Sequence, residues 1–110
     1  MFKKPHLRIE TYINLPRLIL LVFIMTHKSH SILQKELESA KRLVKVNGIY
    51  SHYKNPNRFY RVISIGVQES TDELCVIYQD MEDNYLFFVR NLDLWLKNPD
   101  ENVERFKLIK

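Results

Sequence analysis

The sequence predicts a mainly β chain: about five short antiparallel strands forming a small, partly open barrel, preceded by one amphipathic α-helix. Three observations carry that expectation. Ten of the 13 aromatic residues lie after residue 45. Successive runs rich in Val, Ile, Tyr and Phe follow there, separated by turn-forming clusters. Ahead of them, one segment repeats apolar residues at spacings near three and four.

A chain of 110 residues suits one domain with a thin margin of buried core. Its 45% hydrophobic and 27% charged residues exclude disorder along the whole length. Only 2 Gly and 4 Pro exclude a linker or a low-complexity repeat. The single cysteine, Cys75, sits in the apolar run Leu74-Cys75-Val76-Ile77-Tyr78. A buried, inert thiol is expected there, because reactive thiols need exposed, electropositive surroundings. A small domain without a disulfide framework points to a reducing, cytoplasmic compartment.

Residues 1–24 read unlike the rest. Lys3, Lys4, Arg8 and Arg17 precede the apolar stretch Leu18–Met25, which is too short to span a membrane. Stable membrane insertion is therefore not expected. Three readings stay open: a dispensable leader with Met25 as the true start, a docked helix or strand, and a secretory signal or anchor. No small-residue cleavage site follows the apolar stretch.

Residues 25–45 carry the helix, expected from about Ile32 to Leu43. Ser31 suits the N-cap, with Gln34 completing a capping box. Ile32, Leu33, Leu37, Ala40 and Val44 form the apolar stripe. Acidic residues come early and basic ones late, which complements the helix dipole.

Residues 46–110 form the β domain. Strands are expected over Gly48–Lys54, Phe59–Val67, Leu74–Gln79, Tyr85–Asn91 and Arg105–Ile109. Asn55-Pro56-Asn57, Glu69–Asp72 and Asp80–Asn84 make the turns. Asp93–Lys97 makes one helical turn, with Trp95 and its Leu neighbours plugging the barrel end. A barrel of the SH3-like kind fits, since closing a sheet removes exposed edges.

Charge divides at the same boundary. Residues 1–45 hold nine Lys or Arg against three Glu; residues 46–110 hold eight against ten Asp or Glu. The basic balance of the chain, net +4, therefore belongs to the leader and helix. A nucleic-acid surface needs clustered positive charge, and the β domain as a whole does not supply it.

The order Gly48-Ile49-Tyr50-Ser51-His52-Tyr53-Lys54, Tyr60, Glu69-Ser70-Thr71, Val76-Ile77-Tyr78, Phe88-Val89-Arg90 and Arg105-Phe106 resembles the domain-of-unknown-function 1653 family of small bacterial proteins. The resemblance covers residues 46–109. Asn55-Pro56 stands where the family has Gly, Gln68 where it favours His, Phe88 where it favours Trp, and Asn91 where it favours Pro. The resemblance implies no activity.

Alternate residues of a strand share a face. Tyr50 and His52, then Tyr60, Val62 and Ser64, then Val76 and Tyr78, then Phe88 and Arg90 are expected on common faces. If those faces coincide, Tyr50, His52, Tyr60, Tyr78 and Arg90 converge on a pocket of aromatic rings, an imidazole and a guanidinium. A guanidinium suits carboxylate or phosphate through paired hydrogen bonds. A structural reading competes: Tyr rings fill small barrel cores, and Arg90 pairs with Glu69 or Asp72.

Metal binding is poorly supported, since only His27 and His30 lie close and no Cys pair accompanies them. Catalysis is equally poorly supported. Ser51 and His52 are neighbours on a strand and face opposite ways, and the carboxylates of Asp80, Glu82 and Asp83 fall in a turn. The expectation is a non-enzymatic binding module without cofactor. Its ligand is small and anionic, such as a nucleotide or a peptide terminus, held by His52, Lys54, Tyr60, Tyr78 and Arg90. Two alternatives remain: a barrel binding single-stranded nucleic acid, and a small enzyme acting on a nucleotide-like substrate with His52 as acid or base.

Overall fold

The structure, a computed structural model, describes residues 27–82 and 86–110. The 1–24 leader, and Asp83, Asn84 and Tyr85 of the acidic turn, lie outside those residues.

Helix α1 (His30–Leu43) begins two residues before the expected start. Ser29, not Ser31, is the N-cap: its backbone is extended and its hydroxyl accepts the Ile32 N–H at 3.3 Å. Ser31 lies within the first turn, its hydroxyl 3.1 Å from that of Ser29. Ala40 and Val44 are the buried end of the apolar stripe, whereas Ile32 is exposed. The extended backbone of Val44 ends the helix, and Asn47 turns the chain in a left-handed conformation (φ 65°). Asn adopts those angles at modest cost.

Five strands follow: β1 (Ile49–His52), β2 (Asn55–Gln68), β3 (Glu73–Asp80), β4 (Phe87–Asn91) and β5 (Phe106–Leu108). Helix α2 (Leu92–Leu96) lies between β4 and β5, capped by the Asn91 side chain, which accepts the Asp93 and Leu94 N–H groups. All pairings are antiparallel, in one sheet of order β4-β3-β2-β1-β5. The expected fold class stands: mainly β, five strands in one sheet that is not closed, with a helix ahead.

Two local expectations are corrected. Asn55-Pro56-Asn57 is not the first turn; Tyr53-Lys54 is, and β2 starts at Asn55. Ser51 pairs with Phe59 and His52 with Asn55, so the register skips Pro56 to Arg58. A residue without an N–H is tolerated where no ladder bond is needed. The second correction concerns Ser64. A register shift between Val62 and Ser64 sets Val62 against Tyr78 but Ser64 against Ile77. A bulge of this kind reverses the side-chain alternation beyond it. Ile65, opposite Val76, is buried in place of Ser64, which is exposed.

Ala40 and Val44 of α1 join Tyr50, Val62, Ile65, Leu74, Val76, Trp95 and Phe106 in one core. Helix and sheet therefore bury a common apolar centre. The sheet curls so far that its two edge strands, β4 and β5, approach across the barrel mouth, with Trp95 delivered between them by α2.

Candidate aromatic and cationic site

The centre of the mouth is a ring pair. Trp95 and Phe106 stack in parallel at 3.7 Å between centroids. Tyr50 and Tyr78 meet Trp95 edge-on at 5.3 and 5.0 Å, and Tyr78 meets Phe106 at 5.7 Å. From Tyr78 an aromatic row runs outward, to Phe88 stacked at 5.5 Å and to Tyr60 edge-on at 5.6 Å. Burial raises the Tyr78 phenol above its usual pKa, Arg90 opposing that shift and Tyr60 adding to it. Phe88 is partly exposed, so the row reaches from the core to solvent. Tyr50 belongs to the scaffold: it is buried, and its hydroxyl accepts the Lys45 backbone N–H at 2.8 Å.

Cations gather at the same place. The Arg90 guanidinium lies over Phe106, 5.7 Å from the ring centroid. Its Nε is buried and, among the described residues, has no hydrogen-bond partner. The alternative in which Arg90 pairs with Asp72 does not occur; Asp72 accepts instead from His27 at 3.1 Å and from the Lys28 backbone at 2.9 Å.

His52 packs its ring edge-on against Phe106 at 4.9 Å. Its Nδ1 accepts the Lys54 backbone N–H at 3.2 Å, which places the ring proton of the neutral form on Nε2. Burial holds the imidazole below its usual pKa of 6.5, and Arg105, Arg90 and Lys54 push it the same way. All three charged contributions come from cations, which makes this corner electropositive although the β domain carries excess acid.

Of the sequence-derived site residues, His52, Tyr60, Tyr78 and Arg90 come together. His52, Tyr78 and Arg90 all touch one ring, that of Phe106. Lys54 stands apart: its side chain is exposed and lies over Tyr53, 5.9 Å from the ring centroid. Arg105 covers the same ring at 5.3 Å and is anchored by its Nε donating to the Lys97 carbonyl at 2.9 Å. Sequence reasoning missed the central roles of Phe106 and Phe88 and the charge of Arg105. The Arg105-Phe106 pair was visible as one of the spaced motifs, but nothing local shows that β5 reaches β4.

Asp80 sits at the edge of this cluster, opposite Tyr60 in the β2–β3 register, and is buried. Arg58 binds it through Nε at 2.6 Å and through its terminal nitrogen, and its Oδ1 accepts the Glu82 N–H at 2.9 Å. The hydrogen bond to Asp80 raises the Arg58 pKa. This carboxylate is engaged by Arg58 across the β2–β3 pair, so the surroundings of Phe106 are cationic and aromatic.

Elsewhere the chemistry is spare. Burial, with Glu73 beside it, raises the Cys75 thiol above its usual pKa. Among the described residues no cluster of three or more His, Cys, Asp or Glu is placed to hold a metal ion. Nor, among them, is any helix long and apolar enough to cross a membrane.

A family model described as protein of unknown function (DUF1653) matches residues 48–108. No curated protein and no solved structure matches the chain.

Proposed function

The chain belongs to the DUF1653 family, and from that premise we propose that its barrel mouth is a binding site for a small anionic ligand carrying a flat group, such as a nucleotide or a peptide terminus. The observation that carries this reading is Arg90. A buried donor without a partner costs about 1–3 kcal/mol, and native structures satisfy nearly all such groups. The Arg90 Nε is one, held in place by Phe106 and aligned with an aromatic row that reaches solvent. A phosphate or carboxylate reaches the guanidinium from the exposed side of the half-buried residue, and a small turn of the side chain gives Nε–H an acceptor in a two-point contact. Tyr60, Tyr78 and Phe88 offer ring faces or edges for a base or an aromatic side chain. Neutral His52 contributes an Nε2–H donor to the same ligand.

The reading is one of recognition without turnover. The cysteine is held in its thiol form and the buried carboxylate is already bonded to Arg58. The reducing cytoplasm suits a chain whose single thiol is buried.

Isothermal titration calorimetry with adenosine monophosphate and with a short peptide bearing a free carboxylate tests the proposal. Binding of one of them, lost in Arg90→Ala while the melting temperature stays within a few degrees, supports it. No binding of either, or a collapse in stability of both Arg90→Ala and Arg90→Lys, assigns Arg90 to the scaffold instead.

A further inference from the structure

A second surface lies on the other side of Tyr50. A groove of about 460 Å³ is lined by Lys41, Arg42, Lys45, Leu43, Val46, Tyr50 and Leu108. Three of its lining residues are cations and none is an acid. None of the three cations makes an ion pair among the described residues, whereas Lys28, ahead of the helix, is paired to Glu36 at 3.0 Å. The groove therefore concentrates uncompensated positive charge in a chain whose β domain carries the opposite balance.

The groove is rigidly built. Its base is the turn from Lys45 to Gly48, closed by the Gly48 N–H donating to the Lys45 carbonyl at 3.0 Å and by the Lys45 N–H donating to Tyr50 at 2.8 Å. Asn47 ties the turn to β2 through the Val62 carbonyl at 2.8 Å. Lys41 and Arg42 lie in the last turn of α1 and Lys45 follows its extended cap, Val44, so the three cations gather where the helix ends. Leu43 and Leu108 are exposed apolar residues lining the same groove.

We propose that this groove binds the sugar–phosphate backbone of single-stranded nucleic acid, with Lys41, Arg42 and Lys45 on its phosphates and Leu43 and Leu108 against sugars or bases. An open channel of unpaired cations flanked by apolar side chains is the arrangement that tracks a single strand without reading its sequence. It accounts for part of the charge division of the sequence: Lys41, Arg42 and Lys45 lie where the helix ends, before the family-matched residues, and the barrel mouth is a separate site. All three cations precede residue 48 and so lie outside the matched residues, whereas Tyr50 and Leu108 of the same groove lie within them.

Fluorescence anisotropy of a labelled twenty-nucleotide oligothymidine, titrated with full-length protein from 25 to 200 mM salt, tests the proposal. The expected result is salt-dependent binding that weakens at least tenfold in Lys41→Ala/Arg42→Ala/Lys45→Ala. The slope of log affinity against log salt should fall by about 2 for three lost single-strand phosphate contacts. Lys35→Ala, which removes an exposed cation of the same helix that does not line the groove, should bind the oligonucleotide as the wild type does, which ties the effect to the groove and not to net charge. Circular dichroism confirms that the triple variant is folded; the single variants Arg42→Ala and Lys41→Ala replace it if it is not. The proposal is overturned by any of four results: absence of binding at 25 mM salt, unchanged affinity in the folded variants, equal loss in Lys35→Ala, or equally tight binding of a polyglutamate peptide of matched charge.

Discussion

Arg90 and Phe106 lie on the two opposite edge strands of one five-stranded sheet, and the guanidinium carbon of Arg90 is 5.7 Å from the centre of the Phe106 ring. Three strands separate them in the hydrogen-bonded order. Only a strongly curled sheet brings them together, and this contact defines the mouth of the barrel. The Trp95–Phe106 stack beside it makes Phe106 both a core residue and the floor of the candidate site.

Phe106→Ala should therefore remove a buried ring that touches Tyr78, Trp95, His52 and Arg90. Loss of a core Phe costs about 3–5 kcal/mol, a large share of the stability of a domain this small. Urea denaturation should show a midpoint far below that of the wild type. A loss under about 1 kcal/mol would mean that the mouth is not packed as described.

The turn between α1 and β1 makes a contrasting pair of glycine variants. A Cβ at Gly48 would stand 2.8 Å from the Lys45 carbonyl oxygen, a backbone atom that cannot move aside alone. Gly48→Ala should destabilise by about 1–3 kcal/mol, the usual effect of overpacking. A Cβ at Gly66 meets only the end of Ile77 at 3.4 Å, an ordinary contact. Gly66→Ala should be neutral or gain up to about 1 kcal/mol through the unfolded chain. Thermal melts of the two variants side by side decide the matter.

His52 makes stability depend on pH in a defined direction. Burial and three neighbouring cations hold its folded pKa below the ordinary 6.5. The unfolded chain then binds the proton more readily, so stability falls as pH drops from about 7 through 6.5 and on to the folded value. Well above 6.5 the residue contributes no pH dependence. Melting curves between pH 7.5 and 5 should show a drop that is smaller in His52→Gln, and the His52 ring signals in NMR should titrate below 6.5. Titration above 6.5 would contradict the electropositive surroundings assigned to the site. A bound anion should raise this pKa, since it reverses the local field.

The sequence made the face of the site legible through its period of two. Tyr60, Tyr78 and Arg90 were assigned to shared faces by alternation alone, and the registers Val62↔Tyr78, Tyr78↔Phe88 and Val76↔Arg90 place them so. Alternation failed at Ser64 because a bulge is a pairing irregularity, set by the partner strand and not by the residue types in the run. It was also silent on Phe106 and Arg105. Their role depends on sheet curvature, which brings together residues 16 apart in sequence, and no local propensity encodes that. The helix end differed for a simpler reason: Ser29 and Ser31 are both good caps, and the backbone chose the one that extends α1 by two residues. Lys54 was assigned by its place in a motif, but at the tip of a two-residue turn its side chain leaves the strand face and covers Tyr53.

The central claim is that the Arg90 Nε–H awaits an anionic acceptor at the barrel mouth. Its most direct test is the Arg90 side-chain Nε–H resonance in proton–nitrogen NMR spectra, followed while adenosine monophosphate or a short free-carboxylate peptide is added. The account predicts a saturable shift of that resonance with one of the two, accompanied by shifts of the Phe88 and Tyr60 rings. An Arg90 resonance that stays fixed while both are added to excess would contradict it.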